Sequence, residues 1–143
     1  MDVSPAAVWD TLADPFSYAD WVVGSKEIRG ADDGWPAPGT RFHHTLVGIG
    51  PLSLKDHTES LAAHAPLFLD MRAKARPFGT ARVTLQMTPH QGGTVVRMTE
   101  NPDGLSTLLR LNPVIQLLTT LRNAEALARL ERLASRHAAT VGA

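Results

Sequence analysis

The 143-residue sequence contains no cysteine, and this absence excludes disulfides, thiolate zinc sites, iron–sulfur clusters and a cysteine nucleophile. It also lacks an excess of one charge, because 14 Lys and Arg residues balance 14 Asp and Glu residues. We therefore expect no binding of nucleic acid, which a net positive field would attract. No apolar run reaches the roughly 20 residues of a membrane span, so we expect no membrane insertion.

The first residues also lack the pattern of a signal peptide. Asp2, Asp10 and Asp14 interrupt them, and no basic flank precedes an apolar stretch. This predicts a cytoplasmic protein. With 143 residues, of which 43% are hydrophobic, the chain is long enough to bury one core, so we expect residues 1–143 to form a single domain.

Two short helices are predicted near the amino terminus. Ser4 and Pro5 favour a helix start, because serine caps free backbone N–H groups and proline suits the first helical position. Asp14 ends this helix, since a residue before a proline avoids helical geometry, and a second helical turn is expected up to Trp21. The glycines and prolines of residues 30–39 predict a connection.

From Thr40 onward, apolar and polar residues alternate, which is typical of antiparallel strands with one packed face. Five segments show the alternation, at about 40–46, 52–59, 69–76, 81–88 and 95–100. Turns are predicted between them at 48–51, 77–79 and 91–93.

The last third of the sequence predicts a long helix. Residues 105–111 favour a helical lead-in, and Asn112 and Pro113 form a second cap-plus-proline start. From 113 to about 136, roughly 24 residues would give a rod of about 36 Å, close to the diameter of a domain this size. We expect its apolar stripe to cover the sheet, and residues 137–143 to fray. The stripe consists of Leu117, Leu118, Leu121, Ala124, Leu127, Ala128, Leu130 and Ala134.

Several segments carry a resemblance to a known family. They are 3–10 (VSPAAVWD), 12–15, 18–21, the 35–39 loop leading to Phe42, 56–58 and 122–127. Over about residues 3–135 the sequence resembles the START-related, Bet v 1-like (SRPBCC) superfamily, in particular its bacterial polyketide cyclase/dehydrase and lipid-transport group. Together with the element order, this implies an α+β helix-grip fold. A curved antiparallel sheet of about six strands would wrap around the long C-terminal helix, with two short helices near the amino terminus.

One departure from that family concerns the first strand. Its members usually begin with a full strand before the Ser-Pro cap, whereas only three residues precede Ser4 here. The first strand is therefore expected to be very short or missing. A missing strand would leave an open sheet edge through which a homodimer could form.

Three ionisable residues fall by parity on the inward side of the sheet: His44, Asp56 and Glu100. Burial of such groups is costly unless they are paired, so they are candidate catalytic residues. His44 would act as general base or hydrogen-bond donor, with a carboxylate tuning it. Alternatively, the two carboxylates lie near water at strand ends, or pair with Arg122 or Arg72.

No metal site or cofactor is expected. His43 and His44 point to opposite faces of a strand and cannot chelate one ion. The sequence has no pair of helical histidines four residues apart, and the glycines at 48 and 50 lack the third glycine of a dinucleotide site.

The gap between a curved sheet and a long helix predicts a cavity for a hydrophobic small molecule. Plain core packing is the simpler interpretation of each apolar inward residue. The candidate ligand contacts are Trp21, Phe42, Leu54, Met71, Ala73, Leu85, Met98, Leu118, Leu121 and Asn123.

Three functions follow from these features. The first is a carrier or sequestering protein for a polyketide, lipid or isoprenoid-like molecule. The second is a polyketide cyclase, aromatase or dehydrase that uses the same cavity. The third is a protein-partner module, acting through the open sheet edge or a cationic stripe on the outer sheet face. That stripe consists of Arg72, Lys74, Arg76, Arg82 and Arg97.

Overall fold

In the computed structural model, which describes residues 1–47, 53–76, 79–103 and 113–142, six antiparallel strands form one open curved sheet. Each strand pairs with its neighbours in sequence. The strands are β1 (Ser25–Ala31), β2 (Arg41–Val47), β3 (Ser53–His64), β4 (Phe68–Lys74), β5 (Thr80–His90) and β6 (Gly93–Asp103). The helices are α1 (Pro5–Leu12), a 3-10 turn (Pro15–Ser17), α2 (Tyr18–Trp21) and α3 (Pro113–Val141). The predicted α+β helix-grip fold is confirmed.

The helix starts near the amino terminus follow the local sequence. The Ser4 side chain accepts a hydrogen bond from the backbone N–H of Ala7 at 3.2 Å, and Pro5 occupies the first helical position. Asp14 caps the 3-10 turn by accepting from the N–H of Phe16 at 3.0 Å. Both caps satisfy N–H groups that a helix start leaves without partners.

The expectation that the strand before Ser4 is very short or missing is confirmed, but the strand that begins the sheet was not predicted. The sixth strand is β1, which pairs with β2 in a segment that shows no alternation in the sequence. Residues before Ser4 form only one rung on the edge of β6: the Met1 ammonium donates to the Thr94 carbonyl at 2.8 Å, and the Thr94 N–H donates to the Met1 carbonyl at 2.9 Å. The Thr94 hydroxyl donates to the carbonyl of Val3 at 2.6 Å. A Cβ atom at Gly93 would overlap the Met1 carbonyl.

An aromatic cluster joins the short helices to the sheet. The ring of Tyr18 lies 4.9 Å from Trp21 and 4.6 Å from Phe42, and Trp35 lies 4.7 Å from Phe42. The Leu12 carbonyl at the end of α1 accepts from the Tyr18 hydroxyl at 2.9 Å and from the Trp35 indole N–H at 3.0 Å. Burial raises the pKa of Tyr18, so the hydroxyl stays a donor.

The two halves of α3 have different surroundings. In the second half, Ala126, Leu130 and Ala134 are buried, where α3 packs against α1. In the first half, four large apolar side chains point to solvent with 56–63% exposure. We call them the outward stripe: Val114, Leu117, Leu118 and Leu121.

The expectation that the leucines of the first half cover the sheet is therefore wrong. Apolar periodicity identifies a face of a helix but does not say which side of the domain that face takes. The tail also differs, because the helix continues to Val141 where fraying was expected. The predicted features at 48–51, 77–78 and 105–111 lie outside the described residues.

Candidate functional site

A cavity of about 750 Å³ lies between the concave face of the sheet, α2 and the first half of α3. This volume is within the usual range for small-molecule sites. Its floor is mostly apolar, since inward residues of β2, β4, β5 and β6 form it. Eight predicted site residues line it: Trp21, Phe42, His44, Met71, Ala73, Met98, Glu100 and Asn123.

The other predicted site residues lie elsewhere. Leu118 and Leu121 belong to the outward stripe and are more than half exposed. Leu85 faces inward as expected but is fully buried in the packed core, so it is a core residue and not a cavity-lining one. Leu54 is half-buried on β3 and Asp56 is buried beside it, and neither lines the cavity.

His44 is the one histidine among the cavity-lining residues that the structure describes. It is 5% exposed, and its Nε2 lies 3.0 Å from the backbone carbonyl of Lys74. A carbonyl can only accept, so Nε2 carries the proton. Burial lowers the pKa of His44, so the imidazole is neutral and Nδ1 keeps its lone pair. Nδ1 has no hydrogen-bond partner among the described residues.

Asp56 faces inward but does not bond to His44, although the two residues are cross-strand neighbours. Its carboxylate accepts from the backbone N–H of Arg76 at 2.9 Å and from the Arg76 guanidinium at 3.0 and 3.1 Å. A fourth bond comes from the N–H of His57 at 2.9 Å. Burial by itself would raise the pKa of Asp56, but the bonds from Arg76 and His57 bring it down to about 2. Asp56 therefore holds the end of β4 against β3 and stays ionised.

Glu100 lies at the cavity mouth. Both of its oxygens accept from the Arg122 guanidinium, at 2.6 and 2.7 Å. The Arg122 side chain is 44% exposed and that of Glu100 is 15% exposed. This is the predicted alternative in which Glu100 pairs with Arg122, and it links β6 to α3 beside the opening.

The α3 side of the cavity is mostly polar, since five of its six lining residues carry polar side chains. We call four uncharged ones the polar wall: Gln116, Thr119, Thr120 and Asn123. Thr119 and Asn123 are half-buried, whereas Gln116 and Thr120 are exposed at the mouth. Of these four residues, only Asn123 was predicted from the sequence. The missed three occur at helical spacing with Asn123, a signal that becomes useful only once the orientation of the helix is known.

The outer sheet face is less cationic than expected. Arg82 bonds to the buried Asp70 through Nε at 3.0 and 3.1 Å, and Asp70 also accepts from Thr84 at 3.3 Å. Arg76 is bound to Asp56. Two of the five cations in the predicted stripe therefore neutralise buried carboxylates, which weakens the case for an acidic partner there.

Within the described residues, no helix combines the length and apolar character needed to cross a membrane.

The structure resembles several solved proteins at low sequence identity, which shows a shared fold. They include protein NE0264 from Nitrosomonas europaea (17% identity, 97% of this chain and 92% of that chain, TM-score 0.69). Ara h 8.0201 matches at 14% identity over 94% of this chain and 92% of that chain, with a TM-score of 0.72.

Protein MLL2253 from Mesorhizobium loti matches at 20% identity over 95% of this chain and 92% of that chain, with a TM-score of 0.61. No functionally curated protein matches the sequence. The family model described as polyketide cyclase / dehydrase and lipid transport matches residues 1–135. The expected resemblance is thereby confirmed, and the chain belongs to this family of SRPBCC, Bet v 1-like proteins.

Proposed function

We propose that the protein binds a hydrophobic small molecule of the polyketide, lipid or isoprenoid type in the cavity and acts as its carrier or sequestering protein. The observation that carries this proposal is the apolar floor of a cavity of about 750 Å³. Family membership and fold support hydrophobic ligand binding at a general level.

The floor has the properties that such a ligand requires. Met71 and Met98 supply flexible apolar side chains that adapt to different shapes. Ala73 and Ala81 are cross-strand neighbours, and their small side chains leave volume between sheet and helix. Burial of apolar ligand surface there would contribute a favourable free energy of roughly 25 cal/mol per Å².

A cavity-filling variant tests this proposal. Ala73→Phe would occupy the floor, while Ala139→Phe places the same side chain on the exposed end of α3 as a matched control. N-phenyl-1-naphthylamine, whose fluorescence rises in apolar surroundings, serves as the probe. We expect Ala73→Phe to weaken its binding roughly tenfold or more, because overpacking competes with the ligand, and the control to bind like the wild type. Absence of probe binding to the wild type, or equal binding by both variants, would overturn the proposal.

The second candidate is a cyclase- or dehydrase-type enzyme that uses the same cavity, and the neutral, cavity-lining His44 favours it. With Nε2 fixed on the Lys74 carbonyl, Nδ1 would be the general base. Asp56 would take no part, because its carboxylate is bound to Arg76 and His57.

A comparison of turnover with binding separates the two candidates. His44→Gln should reduce cyclisation of a poly-β-ketone substrate by roughly a hundredfold or more if Nδ1 removes a proton. N-phenyl-1-naphthylamine should still bind, since the floor is otherwise unchanged. Turnover that survives this substitution would overturn the assignment of His44 as general base. A wild type that binds the probe but does not turn over the substrate would overturn the enzyme candidate and leave the carrier function in place.

A further inference from the structure

The first half of α3 is oriented opposite to the usual arrangement of an amphipathic helix. The polar wall faces the cavity, and the outward stripe faces solvent. Thr119 and Leu121 are two residues apart, which corresponds to about 200° around a helix. The polar wall and the outward stripe therefore lie on nearly opposite sides of α3. The polar side chains face the interior, where a surface helix normally places its apolar residues.

The same side of α3 is apolar further along the chain. Ala126, Leu130 and Ala134 continue the line of the polar wall at helical spacing and are buried against the rest of the domain. The change from polar to apolar occurs where the cavity ends, because Ala126 is the last α3 residue that lines it. Polar groups on this line are therefore confined to the part of the helix that faces the cavity.

Two members of the polar wall have unused hydrogen-bonding capacity. The Thr119 hydroxyl and the Asn123 carboxamide are half-buried, and neither bonds to another described residue. A hydroxyl and an amide can each donate and accept. A ligand that displaces water from them must replace those hydrogen bonds, or binding loses the corresponding free energy.

We propose that the polar wall selects a largely apolar ligand with hydroxyl or carbonyl groups along one edge, and discriminates against plain hydrocarbon. This inference rests on the proposed function and specifies its ligand class. The apolar part of the ligand lies on the floor formed by Met71, Ala73 and Met98, and its oxygen-bearing edge lies against Thr119 and Asn123. Groups at that edge exchange hydrogen bonds with the hydroxyl and the carboxamide.

A double comparison of ligands and variants tests the selection. The probes are 2,7-dihydroxynaphthalene and 2,7-dimethylnaphthalene, which have nearly the same shape and differ in hydrogen bonding. Their affinities are measured by displacement of N-phenyl-1-naphthylamine. Thr119→Val with Asn123→Leu removes the polar side-chain atoms of these two wall residues while the number of side-chain heavy atoms stays the same. We expect the diol to lose roughly tenfold or more in affinity relative to the dimethyl compound, as two neutral hydrogen bonds imply.

Two further variants control for folding and position. Leu117→Thr with Leu121→Asn places a threonine and an asparagine on the outward stripe, and the ratio of the two affinities should stay at the wild-type value. Asn123→Gln keeps the amide and should retain the preference. If Thr119→Val with Asn123→Leu leaves the affinity ratio unchanged while N-phenyl-1-naphthylamine still binds, selection by the polar wall is overturned but the proposed function is not. Failure of the wild type to bind N-phenyl-1-naphthylamine overturns the proposed function as well.

Discussion

Replacement of Asp56 by asparagine tests how the interior of the sheet is held together. The carboxylate has a side-chain exposure of 2% and accepts four hydrogen bonds, three from Arg76 and one from the N–H of His57. All four donors are N–H groups. Asparagine keeps one acceptor oxygen, but its NH₂ group would face donors and lose their bonds.

The structure sets the magnitude of the effect. Breaking a buried ion pair costs about 3–5 kcal/mol when the remaining charge is trapped. Here the Arg76 side chain is 63% exposed and recovers water, so screening reduces the loss. We expect Asp56→Asn to lower the free energy of unfolding by about 2–3 kcal/mol.

The effect should depend on pH in a defined direction. The pKa of Asp56 is about 2 in the folded protein, below the value of about 3.9 for an unfolded aspartate. Its contribution is therefore complete above about pH 4 and is lost as the pH falls toward about 2. The difference in stability between wild type and Asp56→Asn should shrink over the same interval.

Urea unfolding followed by tryptophan fluorescence at several pH values measures both the loss in unfolding free energy and its pH dependence, because Trp21 and Trp35 are buried. Glu125→Gln is the matched control. Glu125 pairs with Arg129 on the surface of α3 with 50% exposure, and its loss should cost no more than about 0.5 kcal/mol. A change below about 0.5 kcal/mol for Asp56→Asn at neutral pH, or a difference that stays constant between about pH 5 and pH 2.5, would refute the reasoning.

Three further predictions concern the helix, the cavity and the aromatic cluster. Leu130→Ala should cost about 2–5 kcal/mol in urea unfolding and Leu121→Ala less than about 1, because Leu130 is fully buried and Leu121 is 58% exposed; equal losses would contradict the orientation of α3. NMR titration of the His44 ring should give a midpoint below the ordinary value of about 6.5, because burial lowers its pKa; a midpoint above it would contradict a neutral imidazole. Trp35→Phe should cost about 1–3 kcal/mol, since the carbonyl of Leu12 loses its indole donor; unchanged thermal unfolding would show that this bond contributes nothing.

The sequence predicted the strands that alternate and missed the one that does not. β1 has register shifts between Ser25 and Glu27 and between Ile28 and Gly30. Each shift moves the following side chains to the other face, so an edge strand of this kind shows no period of two. The five other strands form longer ladders, with one register shift between Ser60 and Ala62, and their parity placed Phe42 and Met71 correctly on the concave face.

The candidate site was predicted only in part. Parity placed His44, Asp56 and Glu100 inward, but their partners come from distant segments, which alternation within a strand does not specify. Asp56 is bound by Arg76, which follows β4, and His44 by the backbone of Lys74. Only the tertiary structure supplies those contacts.

The rung between Met1 and Thr94 couples a distant hairpin to the first helix. Because Gly93 has no side chain, the Met1 carbonyl can approach the strand, and Val3 and Ser4 follow directly. A methyl group at position 93 would push the chain end off the sheet margin and pull on the capped start of α1. Since α1 packs against the second half of α3, a shift of α1 would also change the packing of the last helix.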